Sequence, residues 1–175
     1  MVFIHLAEGY EEVEALTCVD VLRRAGVEAK MVSVTGNLLV RGAHGINMEA
    51  DLLFEDADYD ACEMIVLPGG MPGATNLRDH EGLKSQIEAF AKAGKSLAAI
   101  CAAPLALAAH GALEGKNATI YPGMESYLAG ATPTGGTVTV DGNVITGMGP
   151  ALAMEFALAL VEHLKGEETD RKSVV

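Results

Sequence analysis

The sequence predicts an α/β protein, a doubly wound sandwich in which a mostly parallel sheet carries helices on both faces. Two observations support that class. Strand-like runs alternate with helix-like ones, and the strands are apolar on both faces, as a sheet covered on each side requires. Right-handed crossovers fix the winding, and the ligands of such a sheet sit beyond the carboxyl ends of its strands.

VFIHLA reads as the first strand. Residues 11–25 follow as a helix, with Val13, Leu16, Val19, Val21 and Leu22 at helical spacing and Gly26 as its stop. AKMVSV is the second strand, and the Gly-rich stretch between Asn37 and Leu53 reads as a small hairpin insertion. MIVLPGG is the third strand, and Leu83 to Ala93 is a helix stopped by Gly94. SLAAIC is the fourth strand, APLALAAHGAL a helix and ATIYP a fifth short strand. TVTVDGNVIT forms a hairpin around Asp141-Gly142, and Pro150 to Leu164 is the last helix.

A chain of 175 residues is one ordinary domain, long enough to bury a sizeable core. Half of it is hydrophobic, which leaves only the polar stretch Glu167 to Lys172 as a candidate for disorder. The net charge of -12 repels phosphate backbones, so no nucleic acid is expected as a ligand. The run from Leu97 to Ala109 is shorter than the roughly 20 apolar residues of a membrane span, and MVFIHLAEGYEE lacks the basic start of a signal peptide. No membrane partner is therefore expected. Three cysteines, Cys18, Cys62 and Cys101, make no disulfide framework and fit a reducing, cytoplasmic setting.

The strand-end rule singles out Cys101, at the corner between the fourth strand and its helix. Unpaired N–H groups and the helix dipole favour a thiolate there, so a depressed pKa is expected. The corner has the form of a nucleophile elbow, although Gly-x-Ser-x-Gly is absent. Cys62 reads as a packed core thiol, and Cys18 as a buried core or interface thiol. Glu11 and Glu12 read as a solvated acidic first turn, whereas Glu14 can face the sheet. Gly69-Gly70-Met71-Pro72-Gly73 lacks the G-x-G-x-x-G order of a dinucleotide loop and instead offers backbone N–H donors close to the sulfur. His5, His80, His110 and His163 have no metal-ligand spacing.

Four segments, EGYEEVEAL, VLPGGMPGATNL, AAICAAPLALAAHGAL and GMGPALAMEFALALVEHL, resemble the ThiJ/PfpI superfamily in its DJ-one-like branch, in the right order along almost the whole chain. The resemblance implies a flavodoxin-like fold for one domain at 1–166, with 167–175 as a polar C-terminal tail, and a homodimer. It implies Cys101 as the reactive nucleophile and Glu14 as the buried carboxyl that hydrogen-bonds the sulfur. It pairs the N–H of Gly70 with that of Ala102 as an oxyanion hole. Gly69 and Tyr121 would line the site, and His44 aligns with a basic lining residue of that branch.

Two departures matter. The peptidase branch has a histidine where this chain has Ala102, and the DJ-one branch has one where this chain has Tyr121. A phenol donates hydrogen bonds but is a poor base near neutral pH. The expected activity is therefore cofactor-independent glyoxalase or deglycase chemistry on a small reactive carbonyl such as methylglyoxal, or on its glycated adducts. No metal and no organic cofactor are expected. Two other readings are a redox sensor or chaperone that oxidises Cys101, and an intracellular cysteine peptidase.

Overall fold

Segments that are apolar on both faces can satisfy their backbone only inside a sheet, and three of them become its central strands. The computed structural model describes residues 1–166, so the polar tail expected at 167–175 lies outside the described residues. The chain runs β1 (Val2–Leu6), α1 (Glu12–Arg24), β2 (Ala29–Ser33), β3 (Leu39–Arg41), β4 (Asn47–Glu49) and β5 (Leu52–Leu53). It continues with β6 (Met64–Leu67), α2 (Gly73–Asp79), α3 (Glu81–Ala93), β7 (Ser96–Ile100) and α4 (Pro104–Ala109). Then come β8 (Asn117–Ala118), β9 (Thr132–Pro133), β10 (Val138–Asp141), β11 (Val144–Gly147) and α5 (Ala153–Lys165).

The main sheet has seven strands in the order β10-β11-β7-β6-β1-β2-β5, as the flavodoxin-like class requires. All its pairings are parallel except the β10–β11 hairpin. Strand alternation splits the core. Val2, Ile4, Met64, Val66, Ala98 and Ile100 pack against the buried faces of α1 and α5, with Phe156 and Leu160 among them. Phe3, Ile65, Leu67, Leu97 and Ala99 pack on the other face against Leu77, Leu83, Ile87, Phe90 and Leu105. Each fully buried side chain of this size contributes roughly 1.5–3 kcal/mol. The chain leaves β1 for β2 on one side and returns through β6 and β7 on the other, so the crevice lies between β1 and β6.

The expected elements form, with four differences. The insertion is the antiparallel hairpin β3–β4, but ATIYP adds no strand to the main sheet. Only Asn117–Ala118 pairs there, with β9, because Thr119 N–H is taken by the Thr146 hydroxyl at 2.9 Å and Tyr121 N–H by the Cys101 carbonyl at 2.9 Å. The helix expected over 103–113 stops at Ala109, and α2 follows the Gly-rich loop with no apolar period to announce it. On α1, Val13 and Leu16 are exposed, because the face turned to the sheet runs through Glu14, Ala15, Cys18 and Leu22.

Candidate active site

Cys101 follows directly on β7 and has φ 63, so it is the one non-glycine residue with positive φ among the described residues. That conformation is costly for an L side chain and persists only where the surroundings enforce it. Here Cys101 N–H donates to the Gly147 carbonyl at 2.9 Å and its own carbonyl accepts from Tyr121 N–H. Ala102 and Ala103 carry the turn into α4, with Pro104 at the first helical position. The thiol is thereby held partly exposed at the end of β7, whose residues 97–100 are buried.

The loop after β6 approaches from the side. A Cβ on Gly69 would lie 2.6 Å from Cys101 Cβ and 2.8 Å from Glu14 Oε2, so glycine alone fits between these two side chains. Gly70 has φ +88, and its N–H and that of Ala102 both donate toward the Cys101 sulfur. The loop is pinned from β1's side, where Glu11 N–H donates to the Gly69 carbonyl at 2.8 Å.

Glu14 is fully buried in the first turn of α1. Its Oε2 accepts from Gly69 N–H at 2.6 Å, while Oε1 is buried without a well-formed hydrogen bond. The carboxyl also faces the Cys101 thiol. Burial pushes Glu14 up to about 7, against the opposing pull of the Gly69 amide and the thiol. Cys101 is pushed up to about 12, first by burial and then by the Glu14 charge, with the Ala102 and Gly70 amides pulling the other way. This corrects the expectation of a depressed Cys101 pKa. The donors anticipated at the elbow are in place, but burial, and after it the Glu14 carboxylate behind the sulfur, outweighs them. Sulfur and carboxyl are thus one coupled site, and a thiolate is favoured there only when the carboxyl holds the proton.

The cleft in front of the sulfur is about 250 Å³ and is lined by Gly70, Met71, Cys101, Ala102, Tyr121 and Met124. Gly69, Gly70, Cys101, Ala102, Glu14 and Tyr121 therefore converge. His44 does not join the lining of this cleft. It sits in the β3–β4 hairpin, where its Nδ1 lies 3.0 Å from Glu12 Oε2 and its N–H donates to Glu12 Oε1 at 2.8 Å. Glu12 corrects a second expectation, because it is 6% exposed rather than solvated. Although burial opposes ionisation, hydrogen bonds from its own amide, the His44 side chain and the His44 and Ile46 amides hold Glu12 below the ordinary carboxylate value. Met71 and Met124 had not been expected at the site. Met71 sits inside the quoted Gly-rich run, whereas Met124 lies in a loop without periodicity, where no sequence signal marks it.

A strained cysteine elbow at the carboxyl end of a doubly wound sheet, backed by a buried carboxyl and two amides, defines a class of cysteine-elbow α/β proteins. Within that class the chain belongs to the DJ-1/PfpI family, whose model matches residues 1–163. It is 42% identical over 169 residues to protein DJ-1 homolog B of Arabidopsis thaliana, covering 95% of this chain and 39% of that protein. The chain thus spans about two-fifths of the length of this plant relative. It is 31% identical over 162 residues to the glutathione-independent glyoxalase DJR-1.2 of Caenorhabditis elegans, covering 92% of this chain and 86% of that one. The solved structure of oxidised Toxoplasma gondii DJ-1 superposes with TM-score 0.94 at 37% identity, covering 98% of this chain and 94% of that chain. Among the described residues no helix is long and apolar enough to cross a membrane.

Proposed function

We propose that the chain is a cofactor-independent enzyme acting on reactive carbonyls, with Cys101 as nucleophile. The observation that carries this reading is the Cys101 turn at φ 63, with two amides and the Glu14 carboxyl gathered on its sulfur. A relative named as a glutathione-independent glyoxalase supports the substrate class. In the reaction, the Cys101 sulfur adds to the aldehyde carbon of an α-oxoaldehyde, and the Gly70 and Ala102 N–H groups receive the oxyanion. Glu14 then takes the proton from that carbon and returns it to the neighbouring carbonyl carbon, which leaves a thioester of a 2-hydroxy acid. Water cleaves the thioester, releases the acid and restores the thiol. With a hemithioacetal or aminocarbinol, the Cys101 sulfur replaces the thiol or amine on the carbinol carbon, and the departing group takes up the thiol proton and leaves free of the adduct.

Purified wild type should turn over methylglyoxal, and Cys101→Ser should not. Turnover that survives in Cys101→Ser would remove the sulfur from the reaction. Amide hydrolysis needs a general acid for the leaving nitrogen, and Ala102 and Tyr121 stand where the family resemblance implies histidine. Negligible cleavage of casein is therefore expected, while robust Cys101-dependent cleavage would restore the peptidase reading. We also take the chain to act as a homodimer in a reducing, cytoplasmic setting, since exposed Val13 and Leu16 on α1 offer apolar surface for a second copy.

One observation favours a redox-sensor reading. Glu14 Oε1 is buried without a well-formed hydrogen bond, so a protonated carboxyl there can donate to an oxygen carried by the sulfur. With limiting peroxide, sulfinate should accumulate at Cys101 in the wild type, whereas Glu14→Leu should proceed to the sulfonate. Equal progress of both proteins to the sulfonate would remove Glu14 from this role.

A further inference from the structure

Residues 8–12 carry the chain from β1 into α1 and are held from two sides. On one side stands the β3–β4 hairpin. Gly9 N–H donates to the Arg41 carbonyl at 2.9 Å, Ala43 N–H to the Tyr10 carbonyl at 2.8 Å, and the Tyr10 hydroxyl to the Ile46 carbonyl at 3.1 Å. On the other side stands the loop after β6 and the start of α2. Gly73 N–H donates to the Gly9 carbonyl at 3.3 Å, and the Asn76 side-chain amide to the Glu8 carbonyl at 3.0 Å. The bond from Glu11 N–H to the Gly69 carbonyl belongs to the same set. The hairpin takes no part in lining the cleft in front of Cys101, yet this segment joins it to the loop that carries Gly69 and Gly70.

Glu12 is the centre of this junction. Two amides and a ring nitrogen from one hairpin tip converge on its buried carboxylate. His44 N–H and Ile46 N–H donate to Oε1 at 2.8 and 3.3 Å, and His44 Nδ1 lies 3.0 Å from Oε2. Gly42 completes the fit, because a Cβ there would collide with the Glu12 carboxyl, so the tip closes on Glu12 only with glycine at 42. Glu12 is also the first residue of α1, whose N-cap is Glu11. Glu11 on one side of it donates to the Gly69 carbonyl, and Glu14 two residues on accepts the Gly69 N–H. The turn that the hairpin grips therefore presents both groups that hold Gly69.

We propose that Glu12 is a positioning residue for the Cys101 site: by anchoring the β3–β4 hairpin it fixes the first turn of α1, and with it the Glu14 carboxyl and the Gly69-Gly70 loop. The proposal rests on the carbonyl reading above and adds a residue that acts through Glu14 and Gly69 rather than on the substrate. Every contact it invokes lies within one protomer. Removal of the carboxylate leaves the His44 and Ile46 amides without their acceptor and frees the turn. Addition of substrate at the sulfur is left as it was. Proton transfer by Glu14 suffers, because it depends on placement to within about 1 Å.

Amide hydrogen exchange and methylglyoxal turnover, measured on Glu12→Ala, Glu12→Gln and Gly42→Ala, test the proposal together. In Glu12→Ala the Glu11 and Gly69 amides should exchange at least about tenfold faster, the scale of one lost hydrogen bond, while the amides of β6 and β7 keep wild-type rates. Its kcat should fall by about tenfold or more with KM within about a factor of two, the signature of lost placement in the transition state. Glu12→Gln keeps an oxygen for both hairpin amides and should bring exchange and kcat back to within about threefold of wild type. Gly42→Ala displaces the same carboxyl from the hairpin side, so it should reproduce the effects of Glu12→Ala even where that variant fails to fold. Wild-type exchange at Glu11 and Gly69 in both alanine variants overturns the proposal, whether or not methylglyoxal is consumed. So does quickened exchange shared by β6 and β7, an unchanged kcat in an active protein, or a Glu12→Gln no better than Glu12→Ala. Local quickening that glutamine restores, in a protein that consumes no methylglyoxal, supports the anchor and overturns the enzymatic reading.

Discussion

Cys62 and Cys101 lie at opposite ends of neighbouring parallel strands, since β6 pairs with β7 through Met64↔Ser96 and Leu67↔Ala99. Cys62 enters β6 at its amino end, is 1% exposed, and donates its S–H to the Met64 carbonyl at 3.2 Å. Cys101 leaves β7 at its carboxyl end, is partly exposed, and receives the Gly70 and Ala102 amides. Burial pushes both thiols up, Cys62 to about 11 and Cys101 to about 12. A resting pKa therefore does not separate them. What separates them is strand polarity. At the carboxyl end the chain turns into a helix and leaves the thiol partly exposed beside two amides, whereas at the amino end Cys62 is shut inside the core, where burial outweighs the Met64 and Phe3 backbone groups that favour its thiolate.

The largest test of that contrast removes each sulfur in turn. Cys101→Ser should lower methylglyoxal turnover by about a thousandfold or more, the scale on which covalent nucleophiles act. Cys62→Ser should leave turnover within about a factor of two, because no group at the elbow touches it. A comparable loss in both would mean that the two thiols act together.

Glu14→Gln sharpens the contrast next. The amide removes the charge behind Cys101 and the ability to shuttle a proton, so turnover should fall by roughly a hundredfold. Iodoacetamide labelling of Cys101 at neutral pH should be retained or quickened. The same residue predicts a pH effect on stability. Burial raises Glu14 from 4.5 to about 7, so the folded state holds a proton that the unfolded chain releases. The stability this supplies is complete below about pH 4.5 and is lost as pH rises through about 7. Between pH 4 and 8 the wild type should lose on the order of 3 kcal/mol relative to Glu14→Gln, read by urea denaturation. Parallel pH profiles for the two proteins would contradict the buried, protonated carboxyl.

A smaller change tests how tightly the elbow is packed. Gly69→Ala places a methyl 2.6 Å from Cys101 Cβ, a clash expected to cost about 1–3 kcal/mol by overpacking and to displace the sulfur from its amides. Turnover and the denaturation midpoint should fall together. Tyr121→His should have the smallest effect, a rise in turnover of up to about tenfold if an imidazole there reaches the reacting proton.

Much of this arrangement was legible in the sequence because it follows from local rules. Two-faced apolar runs gave the central strands, and an alanine-rich turn after SLAAIC, with Pro104 to start a helix, marked Cys101 as a corner residue. Glu14 was selected by resemblance. The pattern of α1 pointed elsewhere, since Val13 and Leu16 looked like its buried face and are exposed. What stayed hidden depends on long-range packing. The burial of Glu12 is set by the His44 and Ile46 amides of a distant hairpin, and the raised Cys101 pKa first by tertiary burial of the thiol and then by a carboxylate 87 positions earlier in the chain. Neither leaves a mark in a local window.

The central claim is that position at the carboxyl end of the sheet makes Cys101 the reactive thiol, and limiting iodoacetamide followed by peptide mapping of the native protein tests it most directly. Cys101 should be labelled at least about tenfold faster than Cys62 near neutral pH, with the difference abolished in denaturant. Equal labelling of Cys62 and Cys101 in the native state would contradict it.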